Sequence, residues 1–284
     1  MAVSHRDSNI GLVSPPATPT TSFRACFRIF SWQLTVSWCI LLESTLVLGA
    51  CPQDKTRFAA GLGGDSVKKS VAPIPFAGSQ LGETRHICAF FNNEDEEYRV
   101  LLPFIKDGFE CGDKAVHVVN PGQRRDHLQR LAAVGVDPAA TQQSGQLELR
   151  INTETYLRDG RFDQDQMLEA FEQMASGNTK GGFPLSRIVC RMDWAANGGS
   201  HINNLIEFES RVNDIWRRHD DAVICTYHLA KFGGDTVIDI MRTHPMVIIG
   251  GILHQNPFFV PPDEFLREIR ERRANRTTSS STAI

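Results

Sequence analysis

From His86 onward the chain alternates short apolar runs with stretches whose apolar residues recur at helical spacing. His86–Phe91 (HICAFF) predicts a first strand, followed by a helix from Glu94 to Lys106 with Val100, Leu101, Phe104 and Ile105 on one face and a stop at Asp107-Gly108. Lys114–Val119 predicts a second strand, ending in the turn Asn120-Pro121-Gly122, and Arg124–Val134 a second helix. Further strands are expected at 147–151, 185–192, 222–227 and 246–249, the last ending before Gly250-Gly251. Helices are expected at 164–175, 202–219 and 235–242, and a charged terminal helix after Pro261-Pro262. Such alternation implies βαβ units and an α/β fold of three layers, a largely parallel sheet with helices on both faces.

Residues 1–81 read differently. Ser14–Ser22 is a proline, serine and threonine cluster, residues 27–51 are apolar, and 61–75 return to linker composition. The apolar stretch admits three readings: a membrane-spanning helix, a signal or lipoprotein leader ending at Cys51, or a segment outside the folded protein. The domain organisation expected is therefore a leader over 1–81, a domain over 82–275 and a disordered tail over 276–284. A cytoplasmic location is expected, with membrane attachment through residues 27–51 left open.

Composition narrows the function classes. With 41% hydrophobic and 22% charged residues and a formal net charge of −3, no direct nucleic-acid partner is expected. The seven cysteines show no zinc-ligand spacing, and disulfides are not expected.

In open parallel sheets ligands gather at the carboxyl ends of the strands. That rule selects Phe91-Asn92-Asn93, Asn120-Pro121, Asp193-Trp194 and Tyr227-His228, with Lys231 close behind. A nucleotide-binding loop after the first strand needs glycines and a lysine to wrap a phosphate. Here the segment reads Phe91-Asn92-Asn93-Glu94-Asp95-Glu96-Glu97, with neither, so a P-loop-NTPase-like layout is expected with its phosphate loop degenerate. The ligand-binding candidates are His86, Phe91, Asn92, Asp193, Trp194, Tyr227 and His228. Phe90 is the aromatic most expected in the core. His86 and Cys88 share one strand face, but two ligands do not complete a metal site. No catalytic residue, metal or cofactor is expected.

The motifs resemble a known family. His86-Ile87-Cys88 with Phe90-Phe91, the acids after them, Pro103-Phe104 and Gly112-Asp113-Lys114 are similar to the opening of MEDS domains. Asp193-Trp194-Ala195 resembles the acid-tryptophan element of that family, and Thr243-His244-Pro245, Gly250-Gly251 and Asn256–Phe265 its closing signature. The resemblance implies a fold related to the RecA-like ATPases of the circadian clock, with nucleotide binding lost, and sensing of small, hydrocarbon-derived ligands in bacterial signal transduction. The partners it implies are a small organic ligand and a separate histidine kinase or transcription regulator. After Tyr227 the chain departs from the family, carrying His228-Leu229-Ala230-Lys231 where members show an acid and an arginine-rich stretch. Two other function classes stay open: a divergent hydrolase or transferase using Asp193 and His228, and an interaction module without a ligand.

Overall fold

A computed structural model describes residues 72–197 and 199–281; the apolar stretch at 27–51 lies outside them. A short hairpin, β1 (Ile74–Phe76) and β2 (Ser79–Leu81), precedes the first long strand, β3 (His86–Phe91). There follow α1 (Glu94–Glu110), β4 (Lys114–Val119), α2 (Arg124–Ala133), α3 (Pro138–Gln143), β5 (Leu147–Ile151) and α4 (Asn152–Tyr156). A two-residue ribbon, β6 (Leu157–Arg158) and β7 (Arg161–Phe162), leads to α5 (Gln164–Lys180) and β8 (Ser186–Arg191). The second half comprises α6 (Gly199–Arg211), α7 (Asn213–Trp216), β9 (Ala222–His228), α8 (Gly234–Arg242), β10 (Met246–Ile249), β11 (Ile252–Gln255) and α9 (Pro262–Ser281).

The main sheet has seven strands in the order β11-β10-β3-β9-β8-β4-β5, all parallel except β11. The three-layer, largely parallel α/β arrangement expected from the sequence is the one observed. Because side chains alternate along a strand, each central strand feeds two cores. Cys88 and Phe90 of β3 join Cys225 and Tyr227 of β9 on the face covered by α5, α6, α8 and α9. Ile87, Ala89 and Phe91 join Ile224 on the opposite face, beneath α1 and the β1–β2 hairpin. Phe91 and Tyr227 are fully buried, each contributing about 1.5–3 kcal/mol from burial.

Four local features differ from the sequence reading, each for a visible reason. Helix α1 runs through Asp107-Gly108 to Glu110, because Gly108 is where the helix closes on the Arg187 side chain. Gly250-Gly251 does not end the sheet; both residues take positive φ (60° and 78°) and turn the chain into antiparallel β11. The helix expected over 202–219 is broken at Val212, where α6 gives way to α7. There the Asn213 amide donates to the Glu209 carbonyl, which an unbroken helix would pair with the Asn213 backbone N–H. Cys88, Cys190 and Cys225 are free and buried, but Cys111 is disulfide-bonded, against the expectation of no disulfides.

The hairpin residues Ile74, Phe76 and Leu81, upstream of residue 82, pack into the core beneath α1. Among the described residues no helix is long and apolar enough to cross a membrane.

Candidate functional site at the carboxyl ends of the strands

Strand β3 passes to α1 through only two residues, Asn92 and Asn93. Asn93 caps the helix by accepting from the Glu96 N–H at 2.9 Å. The Glu96 carboxylate reaches back to the backbone and side-chain N–H groups of exposed Asn92, at 2.8 and 2.9 Å. This reciprocal bonding resembles a capping box displaced by one residue.

The four acids that open α1 are all engaged. Asp95 meets Arg130 at 2.9 Å, on the surface. Glu97, 2% exposed, accepts a hydrogen bond from Arg191 at the end of β8, Nε to Oε1 at 3.1 Å, and Nη2 of the same guanidinium lies at ion-pair distance, 3.0 Å, from Oε2. Thr226 of β9 also donates to Glu97 Oε1 at 3.2 Å. Glu94 faces the same guanidinium at 3.5 Å, and Gln123 bridges Arg191 and Glu94.

Beside this cluster, Asp193 follows β8 at the head of a 3₁₀ turn, Asp193–Asn197. Its Oδ2 accepts from His228 Nδ1 at 2.8 Å, Lys231 Nζ at 2.8 Å and Asn120 Nδ2 at 2.9 Å. Burial alone would raise the Asp193 carboxyl, but the bonds from His228, Lys231 and Asn120 outweigh it and hold the group well below the usual carboxylate range. The other ring nitrogen of His228 lies 3.1 Å from Glu97 Oε2. Held between Asp193 and Glu97, the His228 imidazole is pushed up to about 9 despite its burial, so it is a cation at neutral pH. Three strand ends and the start of α1 are thereby joined in one network of alternating charge. Of the strand-end positions chosen from the sequence, Asn120, Asp193, His228 and Lys231 contribute polar contacts to it, and Asn92 and Asn93 to the neighbouring cap. Phe91 itself points into the core beneath α1.

Trp194 and Tyr227 lie in the opposite core. Trp194, 3% exposed, stacks on Tyr156 with ring centroids 5.0 Å apart and planes at 15°. Phe162 of the β6–β7 ribbon packs against the same indole at 4.9 Å. Tyr227 packs on Phe90 at 5.7 Å and donates its hydroxyl to Glu209 Oε1 at 2.9 Å. His86 also reaches Glu209, with Nε2 3.3 Å from Oε2. Burial and the neighbouring His244 lower the His86 pKa, so the ring is neutral near pH 7. The structure thus divides the seven candidates. Asp193, His228 and Asn92 line the sheet edge, Trp194, Tyr227 and His86 lie under the sheet, and Phe91 lies on the other face.

Sequence reasoning missed Glu97, Arg191 and Glu209. Glu97 was read only as one of a run of helix-opening acids, and Arg191 as part of an apolar strand. Buried charges in such settings require partners, and that requirement is the signal that marks Glu97 and Arg191. Glu209 carried no local signal beyond its place in an amphipathic helix.

A family model described as "MEthanogen/methylotroph, DcmR Sensory domain" matches residues 85–245. The transcriptional repressor DcmR of Methylorubrum extorquens is 25% identical over 182 residues, covering 63% of this chain and 65% of the repressor. This chain therefore matches somewhat less than two thirds of that relative's length. Among solved structures, a KaiC-like protein from Pyrococcus horikoshii OT3 is similar at a TM-score of 0.44 and 16% identity, covering 58% of this chain and 70% of that one. The flagellar accessory protein FlaH from Methanocaldococcus jannaschii is similar at a TM-score of 0.43 and 13% identity, covering 64% and 84%. The family match extends over more than half of the 284 residues, and the chain belongs to the MEDS family of sensory domains.

Proposed function

We propose that this domain is a non-catalytic sensor that binds a small organic molecule and passes the binding event to a transcription regulator or kinase. The observation that carries the reading is the occupied sheet edge. Where a nucleotide-binding protein of this general layout would cradle phosphate, the chain places a two-residue turn and the carboxylates of Glu94 and Glu97, already neutralised by Arg191. Their pairing takes up the Arg191 guanidinium that a phosphate would need, and the backbone between β3 and α1 is too short to wrap one.

The same network argues against the hydrolase alternative. A general base works best with a pKa near the operating pH. His228 is a locked cation with its pKa near 9, and Asp193 is ionised with Oδ2 engaged by three donors. The regulatory side of the reading draws on the similarity to a transcriptional repressor.

A cavity of about 410 Å³ at the carboxyl end of β5 supports the ligand-binding half of the reading. That volume suits a small organic ligand. Leu149, Tyr156, Met167 and Ala170 supply apolar wall, and Arg124 and Arg161 line it as well. Tyr156 connects it to Trp194 by stacking, so a molecule that displaces Tyr156 disturbs the aromatic core next to Asp193.

The test is thermal unfolding of the full chain against a broad panel of small alkanes, haloalkanes, alcohols and short carboxylic acids. A binder raises the melting temperature in proportion to the logarithm of its concentration. The expected result is such a shift with at least one class, abolished by Ala170→Trp, which fills the cavity. A folded protein with no shift across the whole panel would overturn the reading.

A further inference from the structure

Beneath the sheet, four donor side chains from four separate elements converge on one point: His86 from β3, Glu209 from α6, Cys225 from β9 and His244 from the segment between α8 and β10. Their donor atoms all lie within 4.8 Å of one another. None of the four is more than 4% exposed. Glu209 Oε2 stands 3.3 Å from His86 Nε2, 3.4 Å from His244 Nε2 and 3.6 Å from Cys225 Sγ, and Cys225 Sγ stands 3.8 Å from His86 Nε2.

Those distances decide between two accounts. In a buried imidazole–carboxylate ion pair, charge-assisted hydrogen bonds draw the heavy atoms to about 2.7–2.9 Å. Both imidazole contacts here are longer, and His244 Nε2 has no hydrogen-bond partner although it is fully buried. A tetrahedral ion bound at about 2.0–2.3 Å holds its donors about 3.3–3.8 Å apart, edge to edge. Four of the six edges of such a tetrahedron match the measured separations, and the remaining two, both to His244, lie within 4.8 Å, so His244 would move in slightly on binding.

The surroundings orient the donors toward that point. Asn213 gives its amide N–H groups to the carbonyls of Glu209, Ser210 and Thr243, at 2.9, 3.1 and 2.8 Å, which turns its Oδ1 toward His86. His86 Nδ1 donates to that oxygen at 2.9 Å, leaving the Nε2 lone pair for the cluster. His244 Nδ1 lies 2.9 Å from the Ile240 carbonyl, which can only accept, so Nδ1 carries a proton and the neutral form of the ring presents its Nε2 lone pair to the cluster. Tyr227 takes the outer oxygen of Glu209 at 2.9 Å. Two imidazole lone pairs, a carboxylate oxygen and a sulfur thus face one another, each with an outer partner or a fixed backbone behind it. Outer bonds of this type orient metal ligands.

The geometry points to a four-coordinate site for a divalent transition ion of zinc's class, held by His86, Glu209, Cys225 and His244. Two nitrogens, one oxygen and one sulfur match the borderline character of such an ion, whereas magnesium and calcium prefer oxygen alone. With four protein ligands and no exposed face, the site is closed. It serves structure, pinning α6 and the segment before β10 to the middle of the sheet. This inference stands apart from the sensory reading, since a closed metal staple is compatible with any ligand bound elsewhere.

The test uses the full chain purified without chelator. Elemental analysis is expected to find one equivalent of zinc or a neighbouring divalent ion per chain. The metal-free protein should take up cobalt(II) with tetrahedral visible bands and a thiolate-to-cobalt charge-transfer band. Cys225→Ser, a near-isosteric change, should remove the charge-transfer band and weaken binding by more than roughly 100-fold, given that even outer partners are worth 10–100-fold. Circular dichroism establishes that the variant is folded. Should the wild-type protein be folded, contain no stoichiometric metal and fail to take up zinc or cobalt at micromolar concentration, the proposal is overturned. A charge-transfer band that survives in folded Cys225→Ser overturns the assignment of the sulfur ligand.

Discussion

His228 Nδ1 and Asp193 Oδ2 meet at 2.8 Å at the carboxyl end of the sheet, joining the last residue of β9 to the residue two beyond the end of β8. The pair has a defined pH signature. His228 has a raised pKa in the folded state, near 9 against about 6.5 unfolded, so its stabilisation is fully present below about pH 6.5. It is lost as pH rises through 9. Asp193 is depressed, so its contribution is present above about pH 4 and lost as pH falls toward its folded value. Melting temperature followed from about pH 6 to about pH 10 is expected to decline in the wild type, with a flatter alkaline limb in His228→Gln. Parallel profiles for the two proteins would show that the pair carries no such linkage.

Arg191 and Glu97 form a buried, two-pronged ion pair. Removing one partner of such a pair leaves the other charge unpaired, at a cost of about 3–5 kcal/mol. Arg191→Met is expected to show that loss in urea unfolding. Combining it with Glu97→Gln should recover part of the loss, because the orphaned carboxylate is gone.

Gly108 sits inside α1 with the Arg187 side chain against it. A Cβ there would meet Arg187 Cδ at 2.7 Å and Nε at 2.8 Å. Arg187 has little room to yield, since it binds Asp113 at 2.8 Å, Asp107 at 2.7 Å and the Phe104 carbonyl at 2.6 Å. Although alanine is ordinarily the better helix former, Gly108→Ala is expected to destabilise by about 1–3 kcal/mol through overpacking. Chemical denaturation reads the sign directly.

Trp194 is a core residue of the state described, clasped by Tyr156 and Phe162. Trp194→Ala should cost about 3–5 kcal/mol in stability, while Trp194→Phe should retain a cooperative fold. Near-ultraviolet dichroism and unfolding curves for the two variants check this. Equal stability of Trp194→Ala and wild type would place the indole outside the packed core.

The layered sheet was legible because its information is local. Runs such as His86–Phe91 and Lys114–Val119 are apolar along their length, as strands buried on both faces must be, and their bounds in the structure are the expected ones. The turn into β11 carried its signal in Gly250-Gly251, yet two glycines fit a loop end as well as a hairpin. The break after α6 was not legible, since it depends on Asn213 reaching Glu209, Thr243 and His86 across space. The site divided in the same way. Strand-end residues Asp193 and His228 follow from the topology rule alone, whereas the pairing of Glu97 with Arg191 spans nearly a hundred residues. His86 was visible, but its neighbours Glu209, Cys225 and His244 come from elements whose register only the folded sheet sets.

Calorimetric titration of the full-length protein with Mg–ATP tests most directly whether the carboxyl edge of the sheet is filled by the protein's own charges. The account predicts no saturable binding in the micromolar range, in the wild type and in His228→Gln alike. Micromolar ATP binding that Glu97 or Arg191 substitutions alter would contradict it and make this edge a working nucleotide site.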